Sequence, residues 1–276
     1  MPIYVASNIP SERAQRYLGI AQRSLNTTLE RLASGKRINS AQDDPAGLLM
    51  SNRLTRAVQA WDQGASNMRM GLDLLQTADS FMTIIEEDLL RMDELARESM
   101  NGLLTDDERN LLNKEFTEII PEITRLTENT KYLGQTLFTG LSVSLVAGEG
   151  AGNVVTVMIN GMTTGAAGGL SITSLTIGTF SQASVAVGVL SAQAFPLLTS
   201  VIAQIGAQAN AFTKSVDATD ALVENLTAGR DRILLADLAQ ETTNLTNNQI
   251  IVQSGISALV QANSAQTLAL GLLGSA

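Results

Sequence analysis

Two heptad seams lie far apart in the chain, and they constrain its fold more than any other feature. Leu75, Ala78, Met82, Ile85, Leu89, Met92 and Ala96 alternate at spacings of three and four in the first half. Ile202, Ile205, Ala209, Phe212, Val216, Thr219, Val223 and Leu226 do the same in the second. Such a repeat draws one apolar stripe along a long helix, and the stripe is stable only when another helix covers it. The economical solution folds the chain back so that its ends run side by side. The expected class is mainly α: a long antiparallel helical hairpin or coiled-coil bundle formed by pairing of N- and C-terminal helices.

The local signals fill in this outline. Ser11 to Ala33 reads as a helix with Leu18, Ala21, Leu25, Thr28 and Leu32 on one face, starting after Pro10 and stopping at Ser34-Gly35. A polar stretch, Lys36 to Gly47, follows, and Asp43 or Asp44 before Pro45 supplies an N-cap and first helical position. The next helix runs to about Met100, with a break at Asn101-Gly102. Thr105 and Glu108 form a capping box for a shorter helix carrying Leu112, Phe116, Ile119, Ile123 and Leu126, in which Pro121 predicts a kink or break. Between about 141 and 180 the texture is β-like. Val154 to Ile159 predicts a strand, Asn160-Gly161 a hairpin turn, and Leu170 to Ile177 another strand. The last segment places Leu238, Leu245, Val252 and Leu259 at seven-residue spacing, and no charge occurs after Glu241. A helix that avoids charge without being apolar all round suits burial among copies of itself.

Composition removes several function classes. Histidine and cysteine are absent. That excludes Ser–His and Cys–His nucleophiles, imidazole acid–base chemistry, the usual zinc ligands and disulfides, and no cofactor is expected. A net charge of −9 argues against a nucleic-acid partner, because neutralising phosphates needs clustered Lys and Arg. Aromatics are only 4%, which suits narrow interfaces between long helices more than a wide round core. The carboxylates Glu86, Glu87, Asp88, Asp93 and Glu94 read as a solvated helix face or an inter-subunit charge match, not as a metal site. The uncharged stretch from Gly150 to Thr213 contains glycines, Pro196, Gln193, Gln204, Gln208 and Asn210. These are expected to break every window of about 20 residues that a membrane span needs, so no span is predicted. Met-Pro-Ile-Tyr-Val-Ala-Ser-Asn has neither a basic nor an apolar leader segment, so no cleaved signal is expected.

The run Arg31-Leu-Ala-Ser-Gly35-Lys-Arg37-Ile38-Asn39-Ser40-Ala-Gln-Asp43-Asp44-Pro-Ala-Gly47 closely resembles the N-terminal signature of bacterial flagellins. Leu90 to Gly102, Asn225 to Ile233 with Ala236-Asp237, and Gln261-Ala262-Asn263 with Leu270 to Leu273 resemble later blocks of the same family, in the same order. Pro45 and Pro121 depart from the family pattern, and Gln266 stands where its final motif usually has proline. The resemblance implies a short form without large outer domains. It implies an inner terminal-helix domain, 1–43 with 230–276, and an outer helical domain, 44–229, joined through a spoke at Arg31, Gly35, Arg37, Ile38, Asn39, Ser40, Asp43, Asp44 and Gly47.

The function implied is a non-enzymatic subunit that polymerises into the extracellular flagellar filament for swimming. Export would use the flagellum's own type III channel, an export chaperone would cover the C-terminal helix, and the other partners would be further copies, the filament cap and the hook–filament junction proteins. A hook–filament junction protein is the nearest rival reading, and a cytoplasmic coiled-coil signalling module a more distant one. Seam packing is assigned to Leu75, Met82, Ile85, Leu89, Met92, Ile205, Phe212, Val216 and Leu226, and the C-terminal core helix to Leu245, Val252, Leu259 and Asn263. Because that helix is charge-free beyond Glu241 while the N-terminal one keeps arginines, it is expected to be the more deeply buried, nearest the filament axis. Arg91, Leu95 and Glu115 match positions that a Toll-like receptor recognises in the family, although an ordinary solvated helix face explains the same residue types. Thr163, Thr164, Ser171, Thr173 and Ser174 are candidate O-glycosylation sites, with a plain polar strand-and-turn surface as the alternative.

Overall fold

The computed structural model describes residues 8–150, 152–165 and 169–274, with 266–274 by backbone alone. The leader reading at Met1–Ser7 and the side chains of Leu270–Leu273 therefore lie outside the described residues. The elements are α1 (Ile9–Ser34), α2 (Pro45–Ser99), α3 (Asp106–Asn129), β1 (Lys131–Tyr132), β2 (Gln135–Thr136), β3 (Leu141–Val146), β4 (Val154–Ile159), α4 (Phe180–Val189), a π turn (Leu190–Ala194), α5 (Phe195–Leu234) and α6 (Leu238–Gly274). The fold is mainly α with a small strand region in the middle of the chain.

The chain divides into two compact units, 1–56 with 225–276, and 57–224. The boundaries fall inside α2 and α5, so residues 44–56 and 225–229 group with the terminal helices.

In the first unit, α1 and α6 pair. Asn8 caps α1 by accepting from the Ser11 N–H at 3.0 Å, and Gly35 ends it in the left-handed region at φ 68. Asp237 caps α6 by accepting from the N–H groups of Ala239 and Gln240 at 2.9 and 3.2 Å.

In the second unit, one face of α2 meets α3, the strands and the helix that runs from Phe180 to Leu234. Leu75, Ala78, Met82, Ile85, Leu89, Met92, Leu95 and Ala96 are all fully buried. Leu198, Val201, Ile205, Phe212 and Val216 from α5 join the same core, with Phe116 and Ile123 from α3. Each such side chain contributes roughly 1.5–3 kcal/mol through loss of apolar surface from water. Glycines let the layers approach closely. A Cβ on Gly64 would lie 2.2 Å from the Ala147 carbonyl oxygen, and one on Gly71 would lie 2.6 Å from Leu145 Cδ1 and 2.8 Å from Phe212 Cε1.

The strand region differs from the sequence expectation. β3 and β4 form an antiparallel hairpin with Leu141 opposite Ile159 and Val146 opposite Val154. Its turn is therefore 147–153, closed by Ala147 N–H donating to Asn153 O at 2.8 Å, and Asn160-Gly161 follows the second strand instead of turning it. Leu170 to Ile177 forms no strand. Leu170, Ile172, Leu175 and Ile177 all point into the core, while the backbone closes on itself through Leu170 N–H to Thr163 O at 2.8 Å and Leu175 N–H to Ile172 O at 3.1 Å. Four apolar side chains aimed the same way left no alternating face to pair.

Two proline expectations also change. α3 runs on through Pro121, which is exposed, so the loss is one N–H donor at a position facing water. Pro196 lies in the first turn of α5, directly after the π turn, and the helix continues through both. As a result Phe180–Leu234 contains a window with mean hydropathy 1.8, long and apolar enough to cross a membrane by length and composition. The glycines and glutamines do not break every window, and 28% of this one is buried inside the protein.

Candidate functional site

The α1–α6 pair is a coiled-coil seam built mostly from small and polar residues. On α1 the buried and half-buried positions include Ser11, Ala14, Leu18, Ala21, Leu25, Thr28 and Leu32. On α6 they include Glu241, Leu245, Asn248, Val252, Gly255, Leu259 and Ala262, again at alternating spacings of four and three. Polar pairs cross the seam. Arg31 Nη1 lies 3.5 Å from Glu241 Oε1, Asn248 Nδ2 donates to Thr28 Oγ1 at 3.2 Å, and Ser11 Oγ donates to Asn263 Oδ1 at 2.9 Å. Because these side chains meet only in one antiparallel register, they fix alignment more than they add stability.

A shallow polar recess of about 290 Å³ opens beside them, lined by Thr28, Arg31, Glu241, Asn244 and Asn248. Arg31 Nε is buried there without an acceptor.

A second set of large apolar side chains on both helices faces away from the seam. On α1, Tyr17 is 70% exposed and Ile20 50%; on α6, Ile250, Ile251, Ile256 and Val260 are at least half exposed. Among the described residues of α6 only Glu241 is buried within the subunit. Sequence-predicted Leu245, Val252 and Leu259 are half-buried against α1, and Asn263 is exposed. The expected deeper burial of α6 is therefore not a property of the isolated chain.

The loop after α1 is tied to the chain before α6. Arg37 N–H donates to Leu234 O at 2.7 Å, Ala236 N–H donates to Gly35 O at 3.0 Å, and Arg37 Nη2 reaches Ile233 O at 2.8 Å. Asp43 Oδ2 accepts from the N–H groups of Asn39 at 3.1 Å and Ser40 at 2.9 Å. The Ser40 and Asn39 amides hold its carboxyl below the ordinary carboxylate value, since they bond the charged form. Asp44 Oδ1 accepts from Gly47 N–H at 2.9 Å and so caps α2. A Cβ at Gly47 would meet Asp44 Oδ2 at 2.4 Å and Ile38 Cδ1 at 2.6 Å, and Ile38 is 2% exposed. Gly35, Arg37, Ile38, Asn39, Ser40, Asp43, Asp44 and Gly47 are thus gathered in one loop and its flanks.

In the second unit, Leu75, Met82, Ile85, Leu89, Met92, Ile205, Phe212 and Val216 lie in the core, while Leu226 is half-buried and belongs to the first unit. Arg91 and Glu115 are exposed and bind each other, with Arg91 Nη2 2.6 Å from Glu115 Oε1. Leu95 is fully buried, so it does not share a surface with them, and the three-residue face read from the sequence is corrected to two. Thr164 is 1% exposed and takes a hydrogen bond from Thr124, so it is not an accessible hydroxyl; Thr163 and Ser171 are half-buried, and Thr173 and Ser174 are exposed.

Sequence reasoning missed two contacts and one buried oxygen. Buried Arg109 donates to Ser99 O at 2.9 Å and Asn101 O at 2.8 Å, clamping the α2–α3 corner. Gln208 bonds both the N–H and the carbonyl of Met158, closing the outer edge of β4. Asp88 Oδ2 is buried without a donor, and burial, with Glu122 and Glu87 nearby, raises its carboxyl above the ordinary value. An arginine four residues into a helix after a tight corner is the one signal that could have flagged the first. Among the described residues no three of His, Cys, Asp and Glu are grouped to hold a metal ion.

The arrangement offers long, one-sidedly covered helices with apolar outer faces. The family model of the bacterial flagellin N-terminal helical region matches residues 5–142, and that of the bacterial flagellin C-terminal helical region matches 191–273. The flagellar filament 33 kDa core protein of Treponema phagedenis is 30% identical over 96% of this chain and 98% of its own length. The flagellin of Listeria monocytogenes is 33% identical over 98% of this chain and 99% of its own. The crystal structure of Bacillus cereus flagellin overlaps with a TM-score of 0.48 at 22% identity, over 56% of this chain and 88% of that one.

Proposed function

The chain belongs to the bacterial flagellin family and is a structural subunit of the flagellar filament, and from that premise we propose that the paired α1 and α6 are its polymerising element. The observation that carries this is the outward face of α6, where Ile250, Ile251, Ile256 and Val260 are exposed beside uncharged polar residues. A free monomer keeps such a surface in water at a cost that a neighbouring copy removes. Ordering of the thinly buried ends is then offset by burial between subunits.

In this reading 1–43 with 230–276 form the inner domain and 44–229 the outer one, and α6 lies closest to the filament axis. The chain has no catalytic role. Its export uses the flagellar type III channel, a chaperone covers α6 before release, and the cap and hook–filament junction proteins are its partners at the filament ends. The apolar helix Phe180–Leu234 serves subunit packing, since one of its stripes is core. Receptor recognition falls on Arg91 and Glu115, and glycans on Thr173 and Ser174, the exposed members of the two sets.

Seeded polymerisation of purified monomer, followed by negative-stain microscopy, tests the central claim. Full-length chain should give long filaments, and a chain lacking 242–276 should give none while keeping the helical signal of the second unit. Normal filaments from the truncated chain would refute it.

A further inference from the structure

The chain contains two Asn-Gly pairs, Asn101-Gly102 and Asn160-Gly161, and their surroundings differ. An asparagine side chain followed by glycine can be attacked by the glycine amide nitrogen, because no Cβ shields that nitrogen. We propose that Asn101 is a site of spontaneous deamidation and isomerisation in the folded subunit, while Asn160 is held back from the same reaction.

At the α2–α3 corner, Asn101 is exposed and its Oδ1 accepts from the Leu103 N–H at 3.1 Å. That bond folds the side chain over Gly102 and places a donor on the oxygen that takes up negative charge when nitrogen attacks Cγ. The Gly102 N–H has no acceptor among the described residues, and nothing crowds it: a Cβ there would meet no atom within 4 Å. Arg109, through its bond to Asn101 O at 2.8 Å, brings a guanidinium charge to the same peptide, which favours loss of the Gly102 proton.

Asn160 lies at the end of β4, with its own N–H bonded to Gln204 Oε1 at 3.4 Å and the following Met162 N–H to Phe138 O at 2.7 Å. Its side chain has no donor on Oδ1 among the described residues, the strand before it is paired, and the main chain of Thr139 and Gly140 packs against Gly161, where a Cβ would lie 3.5 Å from Gly140 N, so the closure that attack requires is resisted.

The chemistry balances with water alone. The Gly102 nitrogen forms a bond to Cγ as the Cγ–Nδ2 bond breaks, and the displaced nitrogen leaves as ammonia with the amide proton. Water then opens the resulting five-membered imide at either carbonyl, giving aspartate or its isomer with the main chain routed through the side chain; nothing is oxidised or reduced. Either product places a new carboxylate at the corner that Arg109 clamps, where Arg109 Nη1 already lies 3.4 Å from Asp106 Oδ1. The isomer also lengthens the backbone there. In a filament outside the cell this would accumulate with age.

Full-length subunit and assembled filaments, incubated at mildly alkaline pH in heavy-oxygen water and mapped by peptide mass spectrometry, report both positions at once. In the folded protein Asn101 should convert at least about fivefold faster than Asn160, equivalent to about 1 kcal/mol in barrier. In denatured chain the two rates should converge. Gly102→Ala, which the open space tolerates, should slow position 101 and leave 160 unchanged. Equal rates in the folded protein, a ratio unaltered by denaturation, or an Asn101 rate indifferent to Gly102→Ala would each overturn the proposal.

Discussion

Replacing Phe212 by alanine probes a close approach between α2 and α5, and its partner glycine makes the test two-sided. Phe212 is 2% exposed, and its ring edge would lie 2.8 Å from a Cβ on Gly71. Truncating a buried phenylalanine removes its transfer energy and leaves a cavity, a loss of about 3–5 kcal/mol. For a domain of this size each kcal/mol lowers the melting temperature by about 2–4 °C, so a fall of roughly 6–20 °C is expected.

Gly71→Ala alone sets two terms against each other. Alanine gains about 1 kcal/mol over glycine in a helix interior. Its methyl must push aside Leu145 Cδ1 at 2.6 Å as well as the phenylalanine ring, and overpacking of this kind costs about 1–3 kcal/mol. The single variant should therefore be neutral or destabilised by up to about 2 kcal/mol. In the Phe212→Ala background the ring is gone and the Leu145 side chain can swing into its space, so the same change should be neutral or stabilise by up to about 1 kcal/mol. Guanidinium unfolding of the four proteins, followed by circular dichroism, measures the coupling. If the two changes add within about 0.5 kcal/mol, the close packing described between these residues is wrong.

Two further perturbations read other parts of the second unit. Asp88→Asn should raise stability at neutral pH, because it removes the charge from a carboxylate whose Oδ2 is buried without a donor. The sign follows from the raised carboxyl: the folded state is penalised above its folded value, and the penalty fades as pH falls toward the ordinary 3.8. The advantage of the variant should shrink over that window in denaturant titrations, and a constant difference would count against the assignment. Gly64→Ala should cost more than about 2 kcal/mol, since its Cβ would meet main-chain atoms of Ala147 that cannot rotate away. A variant as stable as the parent in a thermal melt would show that the 147–153 turn does not sit where described.

Much of the helical framework was legible residue by residue. Thr105 with Glu108 announced the start of α3, Asp44 with Pro45 that of α2, and Ser34-Gly35 the end of α1, because caps act within one turn. The seam from Leu75 to Ala96 was legible for a related reason: a heptad states which face is covered, whatever covers it. Errors arose where local sequence admits two answers. Leu170, Ile172, Leu175 and Ile177 suit a strand or a loop that plugs a core, and Asn160-Gly161 suits a turn or a strand end. Leu95 and Thr164 carried plausible surface roles in the sequence, yet both are covered by elements remote from them along the chain.

What the sequence determined by itself is the set of interactions that close within a few residues: helix limits, heptad stripes, the lack of charge in the C-terminal helix beyond Glu241 and the absence of histidine and cysteine chemistry. Family identity was also readable there, because the spoke residues from Arg31 to Gly47 occur in one unbroken run. Only tertiary structure decided which apolar residues were used up. It buried Leu95 and the α2 seam inside the subunit, yet left Ile250, Ile251, Ile256 and Val260 of α6 facing water. The physical reason is that burial is a property of pairs of surfaces. Periodicity names the stripe; the partner's position in space decides whether one chain covers it or a neighbouring copy must.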